Sequence, residues 1–109
     1  MRCLKMNLNT SIIKNVLKEN LYFECRRAFI RGSFARGENT IKSDMDLLIV
    51  SNDFNGMAIK KRKEIVKKVF DSSMDNIIDC ICLTEAEYNQ IIAQKRNLLL
   101  KEVLIEVII

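Results

Sequence analysis

Apolar residues Ile12, Ile13, Val16, Leu17 and Leu21 recur at three- and four-residue intervals behind Thr10 and Ser11. That spacing predicts an amphipathic helix with either hydroxyl as its cap. Phe23 to Arg31 then reads as a strand that delivers the chain to Gly32-Ser33, with a short helical segment from about Phe34. Asp46 to Ser51 is a brief apolar run of the kind that is buried on both faces of a sheet. After a loop at Asn52 to Gly56, Ile65, Val66, Val69 and Phe70 predict a second long helix with its lysines outward. Asn76 to Leu83 reads as a third strand, and Asp79 is the one charge inside it. Thr84 and Glu87 form a capping box that opens another helix, with Ile91, Ile92, Leu98 and Leu99 inward. The β-branched run from Val103 to Ile109 predicts a last strand. The element order predicts a small α/β sheet domain.

A length of 109 residues, without proline or a Ser/Gly linker, suits a single domain over residues 1–109. A hydrophobic fraction of 49% with 29% charged residues excludes a disordered chain. No apolar run approaches the roughly eighteen residues of a membrane span, and the first residues lack the apolar core of a secretory signal. Cys3, Cys25, Cys80 and Cys82 lie among apolar neighbours in a chain without histidine. They read as free core thiols in a reducing cytoplasm rather than as zinc ligands. The net charge of +4 owes much to Lys60-Lys61-Arg62-Lys63 and Lys67-Lys68. The lysines from Lys60 to Lys68 read as an exposed helix face, with contact to a partner or RNA as the other reading. Direct nucleic-acid binding is not expected, because the five Phe and two Tyr mostly fall at core positions rather than among the basic residues.

Candidate chemistry is concentrated between Gly32 and Asp46. Gly32 has no Cβ to hold a phosphate away from the backbone, and the Ser33 hydroxyl can donate to a phosphate oxygen. A helix starting there offers unpaired N–H groups to an anion. Asp44 and Asp46 follow after ten intervening residues. Two apart on a strand, they would share a face at roughly 7 Å spacing along the chain. Neighbouring carboxylates repel unless a cation or hydrogen bonds compensate, and magnesium takes hard oxygen ligands together with phosphate and water. Asp79, in a strand that is otherwise apolar, would be expensive to bury without a partner. Beside the strand headed by Asp44 and Asp46 it could complete a metal site or take the attacking group's proton. The other reading is that it ends its strand early or faces solvent at a sheet edge. Arg36 also has two readings, contact with phosphate or a brace through a carboxylate such as Glu38.

Gly32-Ser33, Ala35-Arg36-Gly37, Ser43-Asp44-Met45-Asp46, the apolar Leu47 to Val50 and the later Asp79 resemble the nucleotidyltransferase superfamily of DNA polymerase β and kanamycin nucleotidyltransferase. The likeness is greatest to its minimal nucleotidyltransferase group, usually the antitoxin half of toxin–antitoxin modules. The resemblance implies a mixed sheet flanked by helices (an α+β fold), two Mg2+ ions held by Asp44, Asp46 and Asp79, and ATP as substrate near Gly32, Ser33 and Arg36. It implies transfer of a nucleoside monophosphate to a hydroxyl with release of pyrophosphate. The implied acceptor is a tyrosine on a partner toxin of the HEPN ribonuclease family. With no second domain in the sequence to hold a small acceptor, the acceptor is expected from another chain or across a homo-oligomer interface. The apolar terminal run from Val103 is a candidate for such an interface. A binding-only antitoxin that retains the motif is the competing reading.

Overall fold

The computed structural model describes residues 2–40, 43–71, 73–74, 77–94 and 104–109, with the backbone alone over residues 2–9. In chain order they form α1 (Arg2–Glu19), β1 (Arg27–Arg31), α2 (Gly32–Arg36), β2 (Met45–Val50), a 3-10 turn (Asn52–Phe54), α3 (Ile59–Phe70), β3 (Ile78–Leu83), α4 (Glu85–Ala93) and β4 (Ile105–Val107). The sheet runs β3-β2-β1-β4. β1 is antiparallel to β2 and to β4, whereas β2 and β3 are parallel and are joined through α3, as a parallel pair requires. The fold is therefore the expected α/β architecture, a small mixed sheet with flanking helices. Among the described residues no helix is long and apolar enough to cross a membrane.

The period-2 alternation of the strands sorts their side chains onto two faces. Ala28, Ile30, Met45, Leu47, Ile49, Ile78, Cys80, Cys82 and Val107 pack with Ile13 and Leu17 of α1 and with Val66 and Phe70 of α3. These positions make the main core. The intervening residues share the second face, where Phe29, Leu48 and Ile81 stand in register. Tyr88 of α4 stacks on Phe29 with ring centroids 5.8 Å apart. The Arg27 guanidinium lies 5.2 Å from both ring centroids and bonds Glu106 at 3.1 Å.

Several boundaries differ from the sequence reading. The first helix starts at Arg2, so Thr10 and Ser11 lie inside it rather than at its start. Arg2, Leu4, Lys5, Met6 and Leu8 are good helix formers and carry it back past the hydroxyls. β1 is shorter than Phe23 to Arg31 because side chains capture the preceding backbone N–H groups. Asn20 Oδ1 accepts from Tyr22 and Phe23, and Asp53 Oδ2 accepts from Glu24 at 2.7 Å. The Thr84–Glu87 capping box is present with both reciprocal bonds. α4 nevertheless buries no residue, and Ile92 is exposed rather than inward, because Tyr88 makes the stacking contact with the sheet. The expected positions Asn76, Leu98, Leu99 and Val103, and the side chain of Cys3, lie outside the described residues.

Within the basic run one residue departs from its lysine neighbours. Lys60, Lys61, Lys67 and Lys68 are exposed, but Arg62 is only 5% exposed. Its guanidinium donates to the Met57 carbonyl at 3.0 Å, the Cys82 carbonyl at 3.1 Å and Glu87 Oε1 at 2.6 Å. A buried guanidinium is stable only when its donors are met this way. Cys25, Cys80 and Cys82 are buried and free. Burial pushes the Cys25 thiol up to about 12. Cys82 donates to Cys80 Sγ at 3.5 Å, which pushes the Cys82 thiol up and draws Cys80 down.

Candidate active site

β1 ends at Arg31, and the chain turns at Gly32 with φ at +69°. Gly32 opens α2, whose start has no side-chain cap and whose Phe34 is buried as its anchor. The short helix stops at Gly37, at φ +72°, and the Glu38 N–H closes the turn on the Ser33 carbonyl at 2.9 Å. Thr40 and Ser43 then form a tight reciprocal turn, with Thr40 N–H donating to Ser43 Oγ and Ser43 N–H to the Thr40 carbonyl. This turn returns the chain to Asp44 and β2. Met45 N–H bonds the Ile77 carbonyl at 2.8 Å and so fixes the register with β3.

That register sets out the site. Asp46 is the Cα partner of Arg31 on one side and of Asp79 on the other. Paired residues of neighbouring strands share a face at about 4.8 Å spacing, so Arg31, Asp46 and Asp79 form one row across the second face. Arg31 and Asp46 are half-buried and each is engaged with a neighbouring group, whereas Asp79 is exposed. A Cβ on Gly32 would overlap Asp46 Oδ2. The carboxylate thus rests against the backbone of the glycine turn, a closeness that only glycine permits.

Gly32 and Ser33 stand beside Asp46 at one end of the sheet, and Asp79 is opposite Asp46. The exposure of Asp79 corrects the idea of a carboxylate in an interior strand. β3 is at the edge of the described sheet, and Ile77 just before it is 69% exposed, so burial does not explain this acid. Asp44 precedes β2 rather than heading it and is exposed. Among the described residues, no three His, Cys, Asp or Glu side chains converge closely enough to hold a metal ion. The fold gathers the pair Asp46 and Asp79. Arg36 takes up the brace of the sequence reading, with Nε donating to Glu38 Oε1 at 2.7 Å. Arg31 was missed because it closes an otherwise ordinary strand. Its only sequence signal is the period-2 spacing with Arg27 and Phe29, which puts it on the face that later carries Asp46.

These features define a class: a small mixed-sheet α/β domain whose adjacent strand ends carry a glycine turn and a carboxylate pair. The family model for the nucleotidyltransferase domain matches residues 11–108, and the chain belongs to that family. No curated protein matches it. Among solved structures, a Sulfolobus solfataricus protein assigned as a nucleotidyltransferase is similar, with a TM-score of 0.54 at 25% identity over 82% of this chain and 75% of that one. A toxin–antitoxin structure with AMP-PNP gives a TM-score of 0.53 at 18% identity over 68% of this chain and 56% of that one, a likeness of fold.

Proposed function

We propose that this nucleotidyltransferase-domain protein is a magnesium-dependent enzyme that moves AMP from ATP onto a hydroxyl, and that the hydroxyl is a tyrosine of a HEPN toxin. It would act as the toxin's antitoxin. The observation that carries this reading is the parallel register of Asp46 with Asp79 beside Gly32. Two like charges directly opposite each other destabilise a sheet, and hard oxygen donors in that arrangement suit magnesium. Asp46 and Asp79 would hold the ions, with Asp44 turning in from its exposed position ahead of β2. When bound, the ions supply the positive charge that a triphosphate needs for transfer.

The chain's own residues account for the rest. Gly32 lets a phosphate approach the backbone, and Ser33 offers a hydroxyl donor at the same turn. Asp79, at the exposed edge, is where an acceptor carried by another protein can arrive, and its carboxylate can take the hydroxyl proton. Leu21, Tyr22, Ile108 and Ile109 are exposed apolar side chains that a partner protein could cover. The toxin–antitoxin structure of like fold, with AMP-PNP, supports the choice of nucleotide and partner.

A second reading has its own support. Because no three ligand side chains converge among the described residues, the chain could neutralise a toxin by binding alone. The test is incubation with labelled ATP, magnesium and the product of the adjacent gene. Label on the partner that vanishes with Asp46→Asn or Asp44→Ala supports transfer. Neutralisation that persists in those variants with no label transferred rejects transfer in favour of binding.

A further inference from the structure

We infer that Arg31 binds the pyrophosphate end of the nucleotide, an inference that rests on reading Asp46 and Asp79 as the seat of nucleotidyl transfer. The family pattern in this sequence begins at Gly32, so Arg31 is not among the residues it implies. Three observations single it out. Arg31 directly precedes the glycine turn and is the cross-strand partner of Asp46, so the row across the face reads cation, carboxylate, carboxylate. The β1–β4 register ends at Ile30 and Ile105, one residue short of Arg31. Arg31 is half-buried and is engaged in an interaction rather than fully solvated.

Among the described residues, other basic groups are placed elsewhere. Arg36 is tied to Glu38, and Arg27 to Glu106 two rows away on the same face. The α3 lysines belong to a helix that packs its Val66 and Phe70 on the opposite side of the sheet. Arg31 is therefore the cation that the described fold sets next to Asp46 on the acidic face.

The order of the row gives the direction of transfer. Asp79 is outermost, so an acceptor hydroxyl that gives its proton to Asp79 approaches from the β3 edge. In-line displacement expels the leaving group on the far side. The hydroxyl oxygen forms a bond to the α-phosphorus. The bond from that phosphorus to the bridging oxygen breaks, and its electron pair leaves on pyrophosphate. That departure points towards β1, where Ser33 and Arg31 stand. A guanidinium is permanently charged and can grip two phosphate oxygens at once, which suits a leaving group that gains charge.

The test compares ATP, ADP and AMP binding to the full chain by calorimetry in magnesium, for wild type, Arg31→Met, Arg31→Lys and Asp46→Asn, with circular dichroism to confirm folding. Wild type should prefer ATP to AMP. Arg31→Met should weaken ATP by about tenfold or more and leave AMP unchanged, as loss of a charged hydrogen-bonding partner predicts. Arg31→Lys should recover part of the preference. Equal losses for ATP and AMP, or an unchanged preference, would overturn the role of Arg31. If Asp46→Asn still abolished magnesium-dependent ATP binding in that case, the transferase reading would stand. A wild-type protein that binds no nucleotide would remove both. Should Arg31→Met fail to fold, Arg31→Gln keeps a polar, hydrogen-bonding side chain without charge, and the same ATP-to-AMP ratio decides.

Discussion

Two groups of charged side chains in this protein follow opposite rules. Arg62 is buried under α3, and its donors go to the Met57 and Cys82 carbonyls and to both oxygens of Glu87, with the Phe54 ring 6.0 Å away. This group is closed, and it ties α3 to β3 and to the start of α4. The row of Arg31, Asp46 and Asp79 sets two carboxylates in register and leaves the outer one exposed. Such a pair opposes folding by itself. The contrast separates charge that holds the fold together from charge placed where, on the function proposed above, a ligand would bind.

The strongest way to break this comparison is Arg62→Met. It removes the guanidinium and leaves the Cys82 and Met57 carbonyls and Glu87 without their donor. Breaking a buried pair by removing one partner costs about 3 to 5 kcal/mol. The Glu87 side chain is 42% exposed, so the lower end of that range applies. Urea unfolding should show a loss near 3 kcal/mol. An unchanged midpoint would mean that Arg62 is no cross-link and that the two groups do not differ as argued.

The next effect sharpens the open side. Gly32 and Gly37 have nearly equal φ values, +69° and +72°, but an added Cβ meets Asp46 at Gly32 and nothing within 4 Å at Gly37. Both alanine variants share the left-handed backbone penalty of about 1 to 2 kcal/mol. Gly32→Ala should lose roughly 1 kcal/mol more by thermal unfolding, because it must also displace a packed carboxylate. It should lower nucleotide binding as well, whereas Gly37→Ala should not. Equal behaviour of the two would show that Gly32 serves only as a turn.

The same contrast explains what the sequence makes legible. The Gly32-Ser33 turn, Asp44-Met45-Asp46 and the Thr84 capping box are local signals, and each holds its place because short-range bonding decides it. The parity of β2 is harder to read, since Leu47, Leu48, Ile49 and Val50 are all buried and two-faced burial hides alternation. Strand order is not local at all. The sequence pattern allows Asp79 to lie beside Asp46, but that it does so from an exposed edge follows from the β3-β2-β1-β4 order. Arg62 is masked by Lys60, Lys61 and Lys63. Only its position four before Val66 and eight before Phe70 marks it as part of the buried stripe. Arg31 became visible as part of the site only once the register was known.

A pH experiment probes the closed group at smaller scale. Hydrogen bonds from Arg62, then from the Thr84 N–H, hold the Glu87 carboxyl below its ordinary value of 4.5. A carboxylate with a lowered folded-state pKa binds fewer protons folded than unfolded. Its stabilisation is therefore present above pH 4.5 and is lost as pH falls through the lowered value. Glu87→Gln should be less stable than wild type at neutral pH by about 1 kcal/mol, an amount reduced by exposure. The gap should close in acid. A gap that stayed constant from neutral to strongly acidic pH would assign the loss to packing instead of charge.

The smallest effect on stability carries the sharpest contrast. Asp79→Asn removes one of two like charges facing each other across β2 and β3 without changing the shape of the side chain. Cross-strand repulsion of this kind is worth roughly 0.2 to 1 kcal/mol, so the variant should be more stable than wild type by about 0.5 kcal/mol. Salt should shrink that gain, because Asp79 is exposed and its charge is screened. Nucleotide transfer, by the proposed role of this carboxylate, should fall by about a hundredfold or more. A gain in stability joined to a loss of transfer is the signature of charge arranged for a ligand, and Arg62→Met cannot produce it. An Asp79→Asn variant that kept both its stability and its transfer would leave the edge carboxylate as ordinary surface, and the acidic row would then reduce to Arg31 and Asp46.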